Sequence, residues 1–322
     1  MPGQETRATD QRTIPLPVGG WIYQRLTSVP AWGLWFLAAL WTLPTGALLV
    51  DSFRGRTDQV RSGFWTVATD PSQLTLDNYH SVLNRGGPVS MFDSLISSVG
   101  IAIPATVIPL ALAGLAAYAF AFIEFRGREW LFIGTVSLMA VPFQVALIPL
   151  LTLWVQGAHV TIPFTAKTLT VFPDLDVNMR GTMAVWLTHT GFAIPFAIFL
   201  LHNAFAQLPQ SLLDTARIDG ADHVTTFRHV VVPLTLPAFA SLAILQFLFS
   251  WNDFLVASTM TSGADPINLP ATVRLANIAG EVSSAGPEAA AGTFVQIAVP
   301  VIVFFALQRH IVRGLLAGSV NG

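Results

Sequence analysis

Long apolar stretches alternate with shorter polar ones along this chain, and each apolar stretch supplies the ~20 residues that a helical bilayer crossing needs. They run from Ala31 to Val50, Leu95 to Ile123, Leu131 to Val155, Met183 to Ala206, Ala238 to Met260 and Thr293 to Val312. The pattern predicts an all-α, polytopic membrane protein with six transmembrane helices. Pro104, Pro109, Pro142, Pro149, Pro195 and Pro300 fall inside the apolar stretches. Kinked helices are therefore expected, with neighbouring helices and water satisfying the freed carbonyls. The expected organisation is an N-terminal tail over residues 1–30, a first helix over 31–50, an extracytoplasmic segment over 51–94, a core of five helices over 95–313 and a short tail over 314–322.

The polar interval Leu208 to Pro237 has a pattern of its own. Pro209 suits a first helical turn, Leu212, Leu213 and Ala216 follow at helical spacing, and Asp214 and Arg217 stand three apart beside them. Gly220 interrupts this short amphipathic helix, and a second periodic run of Val224, Phe227 and Val231 extends to Pro233, which is expected to end it. Two short helices joined at a glycine make an L. A helix lying on anionic headgroups carries an excess of Lys and Arg, whereas Arg217 and Arg228 are accompanied here by Asp214, Asp219 and Asp222. The balance favours a protein-docking element.

The run Asp214-Thr-Ala-Arg-Ile-Asp-Gly-Ala221, with Phe227 and Val230-Val-Val-Pro233 after it, resembles the EAA loop of binding-protein-dependent ABC importer permeases. Asp214 stands where that family usually has Glu, and Thr215 where it usually has Ala. Pro195 to Leu201, Gln246 to Phe254, and the terminal runs Phe305 to His310 and Arg313 to Val320 are similar to the carbohydrate branch, in particular to the smaller permease of maltose-type importers. Ile103 to Pro109 and Ala116 to Ala121 look like permeases of alpha-glucoside importers. The resemblance implies a type I importer permease in the cytoplasmic (inner) membrane of a prokaryote. It also implies a second permease subunit, two ATPase subunits that hold ATP and magnesium, and an extracytoplasmic solute-binding protein. By the same resemblance, Asp214, Ala216, Arg217, Asp219, Gly220, Ala221, Phe227 and Pro233 form the element that couples to the ATPase. The implied cargo is an alpha-glucoside such as maltose, trehalose or a related oligosaccharide.

Composition agrees with a membrane chain: 53% of residues are hydrophobic and 11% charged, against roughly 25% charged in a soluble domain. Charge also orients it. With a cytoplasmic N-terminus, the inner side carries Arg7, Arg12, Arg25, Arg126, Arg128, Arg217, Arg228, Arg309 and Arg313. The outer side carries Arg54, Arg56, Arg61, Arg85, Lys167, Arg180 and Arg274, diluted by Asp58, Asp70, Asp77, Asp174 and Asp176. Both termini and the Leu208 to Pro237 loop then face the cytoplasm. The polar residues 1–30 read as a retained extension rather than a cleaved signal, since no small-x-small site follows Ala31 to Val50.

Lys167 is the only lysine and follows Ala166, so no Gly-Lys-Ser/Thr phosphate loop exists in this chain. Catalytic residues, metal ligands, a cofactor and nucleic-acid binding are accordingly not expected. His189 and His202 sit singly in an apolar stretch and read as packing residues. Asp253, read as lying within an apolar helix, must face the bundle or an aqueous cavity and needs a partner. Gln144, Gln246, Trp251, Asn252, Asp253 and Gln296 are the candidates for a sugar-translocation path, against the alternative of interhelix bonding and packing. Two other functions stay open: an importer of another solute, such as a glycosylated osmolyte or a glycerol phosphate, and an ion-coupled secondary transporter using Asp253.

Overall fold

A computed structural model of the chain describes residues 30–84, 90–161, 168–173, 177–265, 268–281 and 286–319. Residues 1–29 with Arg7, Arg12 and Arg25, as well as Arg85, Lys167, Asp174 and Asp176, lie outside the described residues, as do the side chains of Arg180, Arg309, His310 and Arg313. The chain divides into two compact units at Val50. The first contains most of helix α1, Ala31–Ser52, whose Trp32, Trp35, Leu37, Leu40 and Trp41 are all exposed. An all-round apolar helix of this kind is one that lipid or another apolar surface solvates.

The second unit starts with a small lobe built on a charge. Helix α2, Arg56–Arg61, two short 3₁₀ turns and helix α3, Asp77–Leu83, wrap around Arg54, which is fully buried. Its guanidinium donates to Asp51 Oδ1 at 2.8 Å, Gln73 Oε1 at 2.9 Å, the Asp58 carbonyl at 2.8 Å and Ser62 Oγ at 2.6 Å. The planar fork of Arg suits such multiple bonding. Arg54 therefore holds the lobe together rather than adding to the outer surface charge.

Helix α4, Phe92–Phe122, and α7, Val177–Ala206, make the most extensive helix pair. Small residues permit their close approach: Ala105, Ala113 and Ala117 of α4 and Ala197 of α7 are buried. Between them run α5, Arg128–Ser137, a 3₁₀ turn Leu138–Ala140, and α6, Phe143–Gln156. These two helices form one apolar stretch bent by 97°. The bend falls at Pro142, whose ring stops an incoming helix and starts the next. A two-stranded antiparallel hairpin, β1 (Ala158–Thr161) with β2 (Thr168–Phe172), is an addition to the all-helical expectation.

After α7 come α8, Gln210–Ile218, and α9, His223–Thr226, which continues through a π turn, Phe227–Val231, into α10, Val232–Leu234. Helix α11, Leu236–Trp251, follows at 76°. Pro233 thus lies within the helix, contrary to the expectation from sequence that it would end it. The wide turn just before it takes the missing N–H and the ring clash, and the break comes later, at Thr235. The expected continuous crossing Ala238 to Met260 is also interrupted, since α12, Leu255–Met260, is separated from α11 by Asn252 to Phe254. Helices α13, Ala271–Glu281, and α14, Pro287–Ser319, complete the unit. Among the described residues, four helices are long and apolar enough to cross a membrane, and up to six spans result if each bent pair counts as one.

Candidate functional site

The L-shaped loop is built by two local devices. Helix α8 ends with Gly220 at φ +82°, where the Ala221 N–H donates to the Ala216 carbonyl at 2.9 Å and the Gly220 N–H to the Arg217 carbonyl at 3.0 Å. That is the Schellman arrangement, and its left-handed residue favours glycine. Two residues on, Asp222 Oδ1 accepts the Thr225 N–H at 2.8 Å and so caps α9. These hydrogen bonds from Thr225 hold the Asp222 carboxyl below its ordinary range. The signal for this cap, an Asp three residues before a Thr at a helix restart, was present in the sequence and was not singled out there.

One face of the loop is fixed to the bundle and the other is free. Leu213 and Val231 are buried in a cluster with Ala113, Ala117, Leu201 and Phe205, and Phe227 packs against the same cluster. The outer face carries Ile218, 85% exposed, and Val224, 70% exposed. Val224 thus lies opposite the buried face on which its spacing placed it. Asp214 and Arg217, both about half exposed, pair at 3.6 Å, while Asp219, Gly220 and Pro233 are exposed and Ala216 and Ala221 partly so. The surface offered outward is therefore apolar with a charged margin, as docking surfaces are.

The second candidate region lies at the break after α11. Asp253 is not inside a helix, contrary to the sequence reading; it precedes α12 and accepts the N–H of Ala257 at 2.8 Å and of Val256 at 3.3 Å. Its Oδ2 lies 3.5 Å from His189 Nε2, with side-chain exposures of 9% and 2%. Its carbonyl accepts from the Thr272 hydroxyl at 2.7 Å. The partners of this enclosed carboxylate are thus the two backbone N–H groups, with His189, read from sequence as a packing residue, beside it but making no hydrogen bond through Nε2.

The other path candidates do not form one site. Gln246 donates to the Ala105 carbonyl at 3.1 Å, fastening α11 to α4. Trp251 is buried, stacks on Phe247 and donates to the Gln296 carbonyl at 3.3 Å, so its ring is not offered to a sugar. Gln296 is half-buried, with an Oε1 that finds no hydrogen-bond partner. Gln144 and Asn252 are exposed on α6 and at the end of α11, and Phe143 and Phe249 beside them meet edge to face at 6.4 Å. Exposed amides on apolar elements face water or protein in preference to lipid.

The sequence profile of the family described as binding-protein-dependent transport system inner membrane component matches residues 105–316. The chain is 41% identical over 289 residues to an osmoprotective compounds uptake permease protein of Synechocystis sp., covering 88% of this chain and 89% of that one. It is 44% identical over 255 residues to an alpha-glucoside transport system permease protein of Rhizobium meliloti, covering 79% of this chain and 62% of that longer one. Its fold resembles a crystal structure of a bacterial ABC transporter that imports the acidic polysaccharide alginate, with a TM-score of 0.63 at 19% identity over 92% of this chain and 99% of that one. The chain belongs to the binding-protein-dependent inner membrane components, the multi-pass permeases of ABC importers.

Proposed function

We propose that this permease moves a neutral glycoside, of the alpha-glucoside or glucosylated-osmolyte class, and that its Asp214 to Val232 loop couples transport to a separate ATPase subunit. The observation that carries the coupling is the two-faced loop: Leu213 and Val231 are sunk in the bundle while Ile218, Val224 and Arg217 point outward. A push on the outer face reaches α4 and α7 through packed side chains. The ATP and magnesium would be held by that subunit, two copies of which are expected beside a second, non-identical permease. Both termini are taken as cytoplasmic, on the same side as the loop.

Substrate class rests on the roles for which the relatives are named and on charge. The straight candidate spans Phe92–Phe122, Gly181–Ala206 and Pro287–Ala306 contain no Lys or Arg, the groups a phosphate-bearing cargo would need, and the two bent pairs carry only Arg128, at the first position of α5, and Arg228, in the π turn. An ion-coupled mechanism would need a carboxylate free to load an ion, whereas both oxygens of Asp253 accept backbone N–H groups.

The test is purification of the tagged chain from detergent-solubilised native membranes, with identification of its partners and an ATPase assay with loaded binding protein. Recovery of an ATPase, with hydrolysis stimulated by an alpha-glucoside or a glucosylated osmolyte, is the expected result. Recovery of the chain alone, active in ion-driven uptake, overturns the reading.

A further inference from the structure

The coupling loop carries one bond to the bundle that packing alone does not require. The Tyr118 hydroxyl, on α4, lies 3.1 Å from His223 Nδ1 at the start of α9, and the two rings meet edge to face at 5.9 Å. Tyr118 is 6% exposed, and it also meets Phe227 at 5.4 Å and Phe122 at 5.3 Å, both edge to face. One tyrosine therefore touches the first residue of α9 and the first residue of the π turn that follows. Its neighbourhood is close-fitting: a Cβ on Gly114, one helical turn away, would stand 3.0 Å from Phe239 and 3.5 Å from Phe227.

Apolar contacts let a short helix slide or roll, whereas a hydrogen bond with a defined donor and acceptor fixes one orientation. Leu213 anchors the first arm of the L through hydrophobic contact, and the second arm has Phe227 and Val231. Only the Tyr118–His223 contact, among the hydrogen bonds described for α8 and α9, reaches from the loop to a spanning helix. We propose that Tyr118 is the positioning residue of the coupling loop, holding α9 against α4 through His223 so that displacement of the loop is delivered to the bundle without slip. This rests on the coupling function given above, and it adds a residue outside the loop that sets how well the loop works.

The experiment uses the whole complex with its ATPase and binding protein. The wild-type complex, run in parallel, tests the coupling reading by its own stimulated hydrolysis; the ratio of each variant to wild type tests the latch. Tyr118→Phe keeps the ring and removes the hydroxyl. It is expected to assemble and to retain basal hydrolysis, with stimulation by loaded binding protein reduced roughly three- to tenfold. His223→Ala is expected to lower stimulation similarly, and the double variant no further, because the two residues are ends of one bond. His223→Gln, whose carbonyl can accept from Tyr118, is expected to recover part of the stimulation.

Wild-type stimulation in Tyr118→Phe, or losses that add in the double variant, would overturn the proposal. So would a loss that only follows failed assembly. The chain contains no cysteine, which permits an independent arm: Tyr118→Cys with His223→Cys, joined by a short thiol-reactive bridge. Bridging is expected to restore the stimulation that the unbridged pair has lost; a bridge that arrests the cycle would mean that loop and α4 must move apart, and the latch would be wrong.

Discussion

An aspartate restarts a helix at two breaks in this chain, and the two sites differ in everything around it. At Asp222 the carboxylate is exposed, caps α9 through Thr225 and follows a glycine in the left-handed region. At Asp253 it caps α12 through Val256 and Ala257, follows Trp251 and Asn252, and is enclosed against His189. Water can solvate the first carboxylate directly, so its cap is the only interaction it needs. The second has lost that solvation, and the protein supplies two backbone N–H donors in its place, with His189 Nε2 3.5 Å away. The same device is thus a local helix start in the loop and a junction of three elements in the bundle, where α7, α12 and α13 meet at one residue.

The largest effect is therefore expected at Asp253. Asp253→Ala leaves the Val256 and Ala257 N–H groups without their acceptor and opens a gap beside the buried His189, at a cost of roughly 2–4 kcal/mol. Asp253→Asn keeps an oxygen for the cap and should cost about 1 kcal/mol. Thermal unfolding of the detergent-purified protein measures both. If the two variants unfold alike, the cap contributes little and the loss of the carboxylate's charge dominates. The Asn variant also separates mechanisms: it should sustain ATP-driven uptake, whereas an ion-coupled carrier would stop.

A smaller effect is expected at Gly220. At φ +82° a side chain is strained even though a Cβ there would meet nothing within 4 Å. Gly220→Val should cost about 1–2 kcal/mol locally and shift the angle between α8 and α9. Gly220→Asn, which visits the same region more readily, should be tolerated. Because the strain is in the connection and not in the bundle, the unfolding midpoint should move little while binding-protein-stimulated hydrolysis falls. Equal loss of both would place Gly220 in the folding core instead.

The contrast between the two breaks also explains which parts of the molecule were legible from sequence. The loop could be read because water leaves punctuation in a sequence: Pro209, Gly220 and alternating charge marked its ends and its corner. The break at Asp253 carries neither Gly nor Pro, and its flanking residues are as apolar as a spanning helix, so periodicity predicted continuity through it. Pro142 and Pro233 show the opposite difficulty. Both are strong breakers by chemistry, yet one makes a 97° bend and the other is absorbed by a π turn. Long-range pairing was not legible at all: Arg54 with Gln73, Gln246 with Ala105, and Tyr118 with His223 depend on how helices pack, which no local pattern records.

The smallest effect is expected at Asp222, and its sign follows from its depressed pKa. The Thr225 hydrogen bonds favour the carboxylate, so its folded pKa lies below the unfolded one. Its contribution is accordingly complete above the ordinary aspartate range and is lost only as pH falls through the lower, folded value. Between neutral pH and the ordinary aspartate range, α9 should therefore show constant amide protection in hydrogen exchange, with loss confined to more acidic conditions. Asp222→Ala should remove that protection at every pH while leaving α11 unchanged, and Asp222→Asn should preserve it and abolish its acid limb. An acid limb that survives in the Asn variant would assign the titration to a group other than Asp222, and the parallel between the two aspartates would then hold for geometry but not for charge.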